Sequence, residues 1–133
     1  MLIDTHCHLD ACEFDADRDA LVAVARAAGV SAWLVPAVGL AGFGKVRDCC
    51  QRYPGVFPAY GFHPLQLGTA TTQHLVRLRQ WLQAESSGPH PPVAVGEIGL
   101  DFFVPGQDRL RQTYFFTEQL RLAETFALPV LLH

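Results

Sequence analysis

Five apolar runs, Met1 to Thr5, Ala32 to Val38, Val56 to Phe62, Val93 to Ile98 and Leu128 to Leu132, recur along the 133-residue chain with stretches of helical spacing between them. Their hydrophobicity is near-continuous rather than alternating, the pattern of strands covered on both faces as in a parallel sheet. Leu21, Val24, Ala25 and Ala28 follow i, i+3, i+4, i+7 behind Asp15 and Asp17 as candidate caps and ahead of Gly29 as a stop. Adjacent Cys49 and Cys50 fall in a second helical stretch, and Thr72 is placed to cap a third carrying Leu75, Leu78 and Leu82. The longest helix, about Gln107 to Phe126, is expected to put Phe116, Leu120, Ala123 and Ala127 on one face and Arg111, Glu118, Arg121 and Glu124 opposite. The resulting β-α-β-α-β-α-β-α-β order has the unit lengths of right-handed crossovers, and "SSGPHPP" from Ser86 to Pro92 reads as a loop within it. Two architectures fit. A doubly wound domain of five strands closes at this length, whereas a (β/α)₈ barrel takes about 250 residues, so the chain would supply roughly half of one. Length alone favours the first.

The polar residues at the strand ends carry more weight than length. His6 and His8 follow the first run in "DTHCHLD", His63 the third in "GFHP", Glu97 lies in "GEIGLD" at the end of the fourth, and His133 follows the fifth. In a parallel α/β sheet the C-terminal strand ends share one edge, where ligands bind, so four of five strands deliver a potential metal ligand to one side. Side chains on an extended segment alternate, which points His6 and His8 the same way with Cys7 turned from them. Two neutral imidazoles so placed can chelate one divalent ion, and Asp4 is positioned as an outer partner that orients an imidazole. A carboxylate buried like Glu97 is costly unless a cation or donors meet it, and an arginine salt bridge is the plain alternative to a metal. Gly96 and Gly99 beside it allow something to approach the backbone closely. His133 alone would be an unremarkable terminal residue, but after a buried strand and beside the others it becomes a candidate ligand of a second metal. His74 and His90 are most simply surface residues.

Taken together, "DTHCHLD", "GFHP", "VAVGEIGLDFF" and "LPVLLH", in this order and spacing, resemble the TatD family of metal-dependent deoxyribonucleases, amidohydrolase-like TIM barrels. The resemblance spans the whole chain. It implies that His6 and His8 bind one metal, that Glu97 bridges two and is the catalytic carboxylate, that His133 binds the second, and that His63 sits near the substrate phosphate. The cofactor it implies is two divalent cations, magnesium or manganese, with zinc also suited to imidazole ligands. Against that pattern the chain has about half the family length and lacks a later His and a late Asp, the general base. The expectation is therefore an α/β fold of incomplete TIM-barrel type, with five parallel strands and four helices, residues 1–133 being the N-terminal part of a TatD-like barrel. The implied activity is metal-dependent ester hydrolysis, with 3′–5′ exonuclease action on single-stranded DNA foremost. D-aminoacyl-tRNA deacylation at the same site is a second reading. A non-catalytic remnant or one half of a split protein, which would self-associate or pair with a missing C-terminal half, is the third. Alone, the chain is expected to hold one metal well and to show little nuclease activity.

Charge and composition narrow the partners. Ten Lys and Arg against 13 Asp and Glu leave a net charge of -3, so no broad cationic surface exists for long nucleic acid, and an anionic substrate must be held locally. No apolar window reaches the roughly 18 residues of a membrane span, and the start lacks secretory features, so a cytoplasmic location and no membrane partner are expected. The four cysteines have no CxxC spacing and read as free thiols.

Overall fold

A computed structural model describes all 133 residues. Its main elements are β1 (Leu2–Asp4), α1 (Arg18–Ala27), β2 (Val30–Pro36), α2 (Phe43–Arg52), β3 (Val56–Tyr60), α3 (Thr72–Glu85), β4 (Ala94–Ile98), α4 (Arg109–Phe126) and β5 (Val130–Leu132). The strands pair in parallel in the order β1-β2-β3-β4-β5. Strand order equal to chain order is that of a barrel wall; a doubly wound sheet reverses direction at a switch point. The architecture is thus a half-barrel of five strands and four helices, and the length argument for a doubly wound domain fails. No helix is long and apolar enough to cross a membrane.

The core lies where the helices meet the central strands. Trp33, Val35, Phe43, Val46, Tyr60, Leu78, Leu82, Val95 and Ile98 are buried, and the rings of Phe43, Tyr60 and Trp81 meet at centroid distances of 5.2, 5.5 and 5.7 Å in tilted or edge geometry. Burial on both faces holds fully for β4, all five residues of which are buried. It fails at the sheet edges, where Leu2, Ile3 and Leu132 are exposed, because an edge strand has a neighbour on one side only. All four cysteines are free thiols, Cys49 and Cys50 buried in α2.

Two helices present faces other than the apolar spacing suggests. In α1 Val22 is the buried residue, while Leu21, Val24 and Ala28 are exposed. Arg18 sets this rotation: its Nε donates to Leu9 O at 2.6 Å and its Nη2 to Ala11 O at 2.7 Å, so the first turn is anchored through a guanidinium facing inward. Asp15 accepts from the same guanidinium, and Asp17 is the N-cap without a side-chain bond. The cap of α3 is Thr71 rather than Thr72; His74 accepts the Thr71 N–H, while Leu75, Leu78 and Leu82 are buried as expected.

In α4 the buried face is Gln112, Phe115, Gln119, Leu122 and Ala123, while Leu120 and Ala127 are exposed. Two amides take core positions because their bonds are satisfied there. Gln119 Oε1 accepts from Phe62 N at 2.6 Å and its Nε2 donates to Phe62 O at 3.3 Å; Gln112 makes the same pair with Asp101, at 2.7 and 3.0 Å. Arg111, expected on the solvent face, reaches the carbonyls of Leu67 and Ala70. One helix thus holds the segments that follow β3 and β4. Replacing Gln119 by Leu strips both Phe62 groups of partners inside the protein and is expected to lower stability by about 1–3 kcal/mol. The readout is a lower urea midpoint at unchanged slope; an unmoved midpoint would show that the amide contributes nothing.

Candidate metal centre

Backbone hydrogen bonds beyond the strands bring the expected residues together. Cys7 N donates to Leu34 O at 3.1 Å, carrying the β1–β2 pairing past Asp4, and Cys7 packs half-buried against the core. The rings of His6 and His8 then lie on the other side with centroids 5.2 Å apart. His63 N donates to Val38 O and Glu97 N to Ala37 O, both just beyond β2, and His133 N donates to Ile98 O of β4, so backbone bonds fix each of these site residues. Gly96 and Gly99 leave room for β5. A Cβ on Gly96 would stand 2.6 Å from Leu131 Cβ, and one on Gly99 would stand 3.3 Å from His133 Cβ, so the close approach expected at these glycines is made by β5 and its terminal histidine.

Glu97 is 3% exposed and divides its two oxygens between two groups of imidazoles. Oε2 is 2.9 Å from His6 Nε2 and 3.3 Å from His8 Nε2; Oε1 is 2.8 Å from His133 Nδ1 and 3.6 Å from His63 Nε2. His6, His8 and Glu97 form one set whose ligand atoms lie within 4.8 Å of one another, and His63, Glu97 and His133 form a second. No arginine pairs with Glu97; the side-chain nitrogens within 4 Å of its carboxylate belong to the four histidines. A carboxylate with one oxygen in each of two nitrogen-rich sets fits a pair of divalent cations, and imidazole and carboxylate together suit manganese and zinc.

Burial pushes the Glu97 carboxyl up, but the hydrogen bond from His133 and the fields of His6 and His63 outweigh it and hold the pKa below 4.5. Burial likewise lowers His63 from 6.5 against the pull of Glu97. His133 goes the other way: burial would lower it, yet bonds to Asp101 and Glu97 raise it above 6.5. The tautomer of neutral His63 is set by Leu65, whose N–H donates to Nδ1 at 3.1 Å and leaves the ring proton on Nε2, facing the centre.

Asp4 does not touch an imidazole; its Oδ1 accepts the backbone N–H of His6 at 3.1 Å and so shapes the turn after β1. The carboxylate that meets an imidazole from outside is Asp101, with Oδ2 3.0 Å from His133 Nε2. Asp101 is not among the residues that strand-end position singles out, although "GLD" just beyond the β4 end carries it. Asp101, His133 and Glu97 line up as a carboxylate–histidine–ligand relay of the kind that orients metal ligands. His74 and His90 stand outside both sets.

A family profile described as "TatD related DNase" matches residues 3–133. The uncharacterized metal-dependent hydrolase YjjV of Escherichia coli K12 is 40% identical over 131 residues, 98% of this chain and 49% of that protein. The 3′-5′ ssDNA/RNA exonuclease TatD of Cronobacter sakazakii is 39% identical over 132 residues, 99% of this chain and 48% of that protein. The crystal structure of YjjV, a TatD homolog, superposes with a TM-score of 0.91 at 39% identity, covering 99% of this chain and 50% of that one. The chain spans about half the length of the curated relatives it matches.

Titration with Mn²⁺ tests the centre. Because the His133 pKa is raised above 6.5, the ring keeps its proton at pH 6 and yields its lone pair as pH rises, while Glu97, lowered below 4.5, stays ionised throughout. Affinity measured by calorimetry is expected to increase from pH 6 to pH 8 with proton release. Asp101→Asn should weaken it by about 10- to 100-fold. Equal affinity at the two pH values would contradict the assignment of His133.

Proposed function

The chain belongs to the TatD-related DNase family, and on that premise we propose that it forms the N-terminal part of a metal-dependent hydrolase that removes nucleotides from the 3′ end of single-stranded DNA. The observation that carries this reading is Glu97, a buried carboxylate with each oxygen facing its own pair of imidazoles. The exonuclease name of the Cronobacter relative supports the substrate, and the metal-dependent hydrolase name of the Escherichia relative supports the chemistry.

Two divalent ions held here would lower the pKa of a bound water and neutralise charge on a phosphodiester. His6, His8 and Glu97 would hold one, and Glu97 with His133 would hold the other. Asp101 accepts the His133 Nε2 proton and keeps Nδ1 aimed inward. His63, with its proton on Nε2, is built to donate to a non-bridging phosphate oxygen, which makes it a substrate-binding group more than a third ligand. Besides Glu97, the carboxylate bonded to an imidazole of the centre is Asp101, already engaged with His133, so the proton acceptor for attack on phosphorus lies outside these residues.

An activated aryl phosphodiester, whose leaving group departs without a proton, separates these roles. The purified 133-residue chain with Mn²⁺ is expected to cleave it slowly, to degrade single-stranded DNA far less, and to lose at least 100-fold of the diester rate in Glu97→Ala, since removing a charge-stabilising group costs about 10² or more. Diester cleavage that survives Glu97→Ala would sink the proposal, as would DNA degradation that outpaces it.

A further inference from the structure

The segment between β4 and α4 carries an aromatic ring with almost no protein contact. Phe103 is 95% exposed, and Phe102 beside it is 42% exposed. The Arg109 guanidinium carbon stands 4.8 Å from the centroid of the Phe102 ring. The segment is nevertheless fixed. Asp101 Oδ1 accepts from Phe103 N at 3.1 Å and from Val104 N at 3.2 Å, while Oδ2 of the same carboxylate contacts His133 at 3.0 Å. Gln112 holds the Asp101 backbone from behind. A single carboxylate therefore ties the Phe103 backbone to an imidazole of the metal centre, and the exposed ring is carried on backbone braced beside that centre.

We propose that Phe103, with Phe102 and Arg109 beside it, is a stacking platform for a base of single-stranded nucleic acid whose phosphate lies at the Glu97 centre; this rests on the nuclease reading above. Every base has a π-face, so a bare ring binds without regard to sequence, and bases stacked inside a duplex are withheld from it. Arg109 braces Phe102 by a cation–π contact and adds positive charge for the nucleic-acid backbone in a chain whose net charge is -3. The platform would thus supply a preference for single strands that a phosphate-binding metal centre lacks.

The test compares a fluorescent thymidine oligonucleotide with an abasic one of equal length and charge, by anisotropy at low ionic strength in Ca²⁺. The unsubstituted chain should bind the base-bearing strand about tenfold more tightly; Phe103→Ala should erase that preference and Phe103→Trp keep it. Equal binding of both strands by the unsubstituted chain would overturn the platform, and so would a preference that survives Phe103→Ala. If Phe103→Ala instead shifts sedimentation from an associated to a monomeric species and leaves the preference intact, the ring belongs to a protein contact and the proposal is likewise wrong. Cleavage of the aryl diester, which offers no nucleobase, scores the metal-centre reading separately.

Discussion

Everything at the C-terminal edge of this sheet is arranged around one buried carboxylate. Glu97 sits near the end of a strand with no exposed residue, where an unpaired charge would be costly, and four imidazoles from the segments just after β1, β3 and β5 meet it. The histidines come from strands separated along the chain by up to 127 positions, between His6 and His133, so their meeting depends on the parallel register and on nothing local. Gly96 has the same dependence. Its missing Cβ leaves room for Leu131, two residues before the His133 whose Nδ1 lies 2.8 Å from Glu97 Oε1.

A hydrophobic pattern reports burial well only where apolar contact alone decides it. The five strands and the order of the helices follow from apolar runs and stops, and the clustering of His6, His8, Glu97 and His133 follows from their place at strand ends. The faces of α1 and α4 did not follow, because polar side chains settle them. Arg18 turns inward for the carbonyls of Leu9 and Ala11, and Gln112 and Gln119 displace Leu120 and Ala127 from the core because each amide finds a backbone N–H and C=O to pair with. Spacing rules count glutamine as solvent-facing and have no access to a partner that tertiary structure creates. Asp101 is hidden in the sequence for a related reason: its partner His133 is 32 residues away, and only the pairing of β4 with β5 brings the two together.

The choice between barrel and doubly wound sheet turned on a different kind of information. Chain length, a global quantity, pointed the wrong way, while four short motifs at strand ends pointed to the barrel. Strand order settles it, since β1 to β5 lie side by side in sequence with no reversal. Local chemistry was the better guide to architecture here because the positions of a site's ligands are constrained by the scaffold that delivers them, whereas length is not.

The two glutamines of α4 have a consequence for motion. Each side-chain amide meets the backbone as a neighbouring strand would, one N–H and one C=O at a time, at Phe62 beside His63 and at Asp101 beside the aromatic rim. The segments after β3 and β4 are therefore coupled to the same rigid rod and share its displacements. His6 and His8 are held differently, by the Cys7 N–H on Leu34 O between them and by Asp4 Oδ1 on the His6 N–H. The two sides of the centre are therefore held by different means, paired amides from one helix at Phe62 and Asp101 and single backbone bonds at His6 and Cys7.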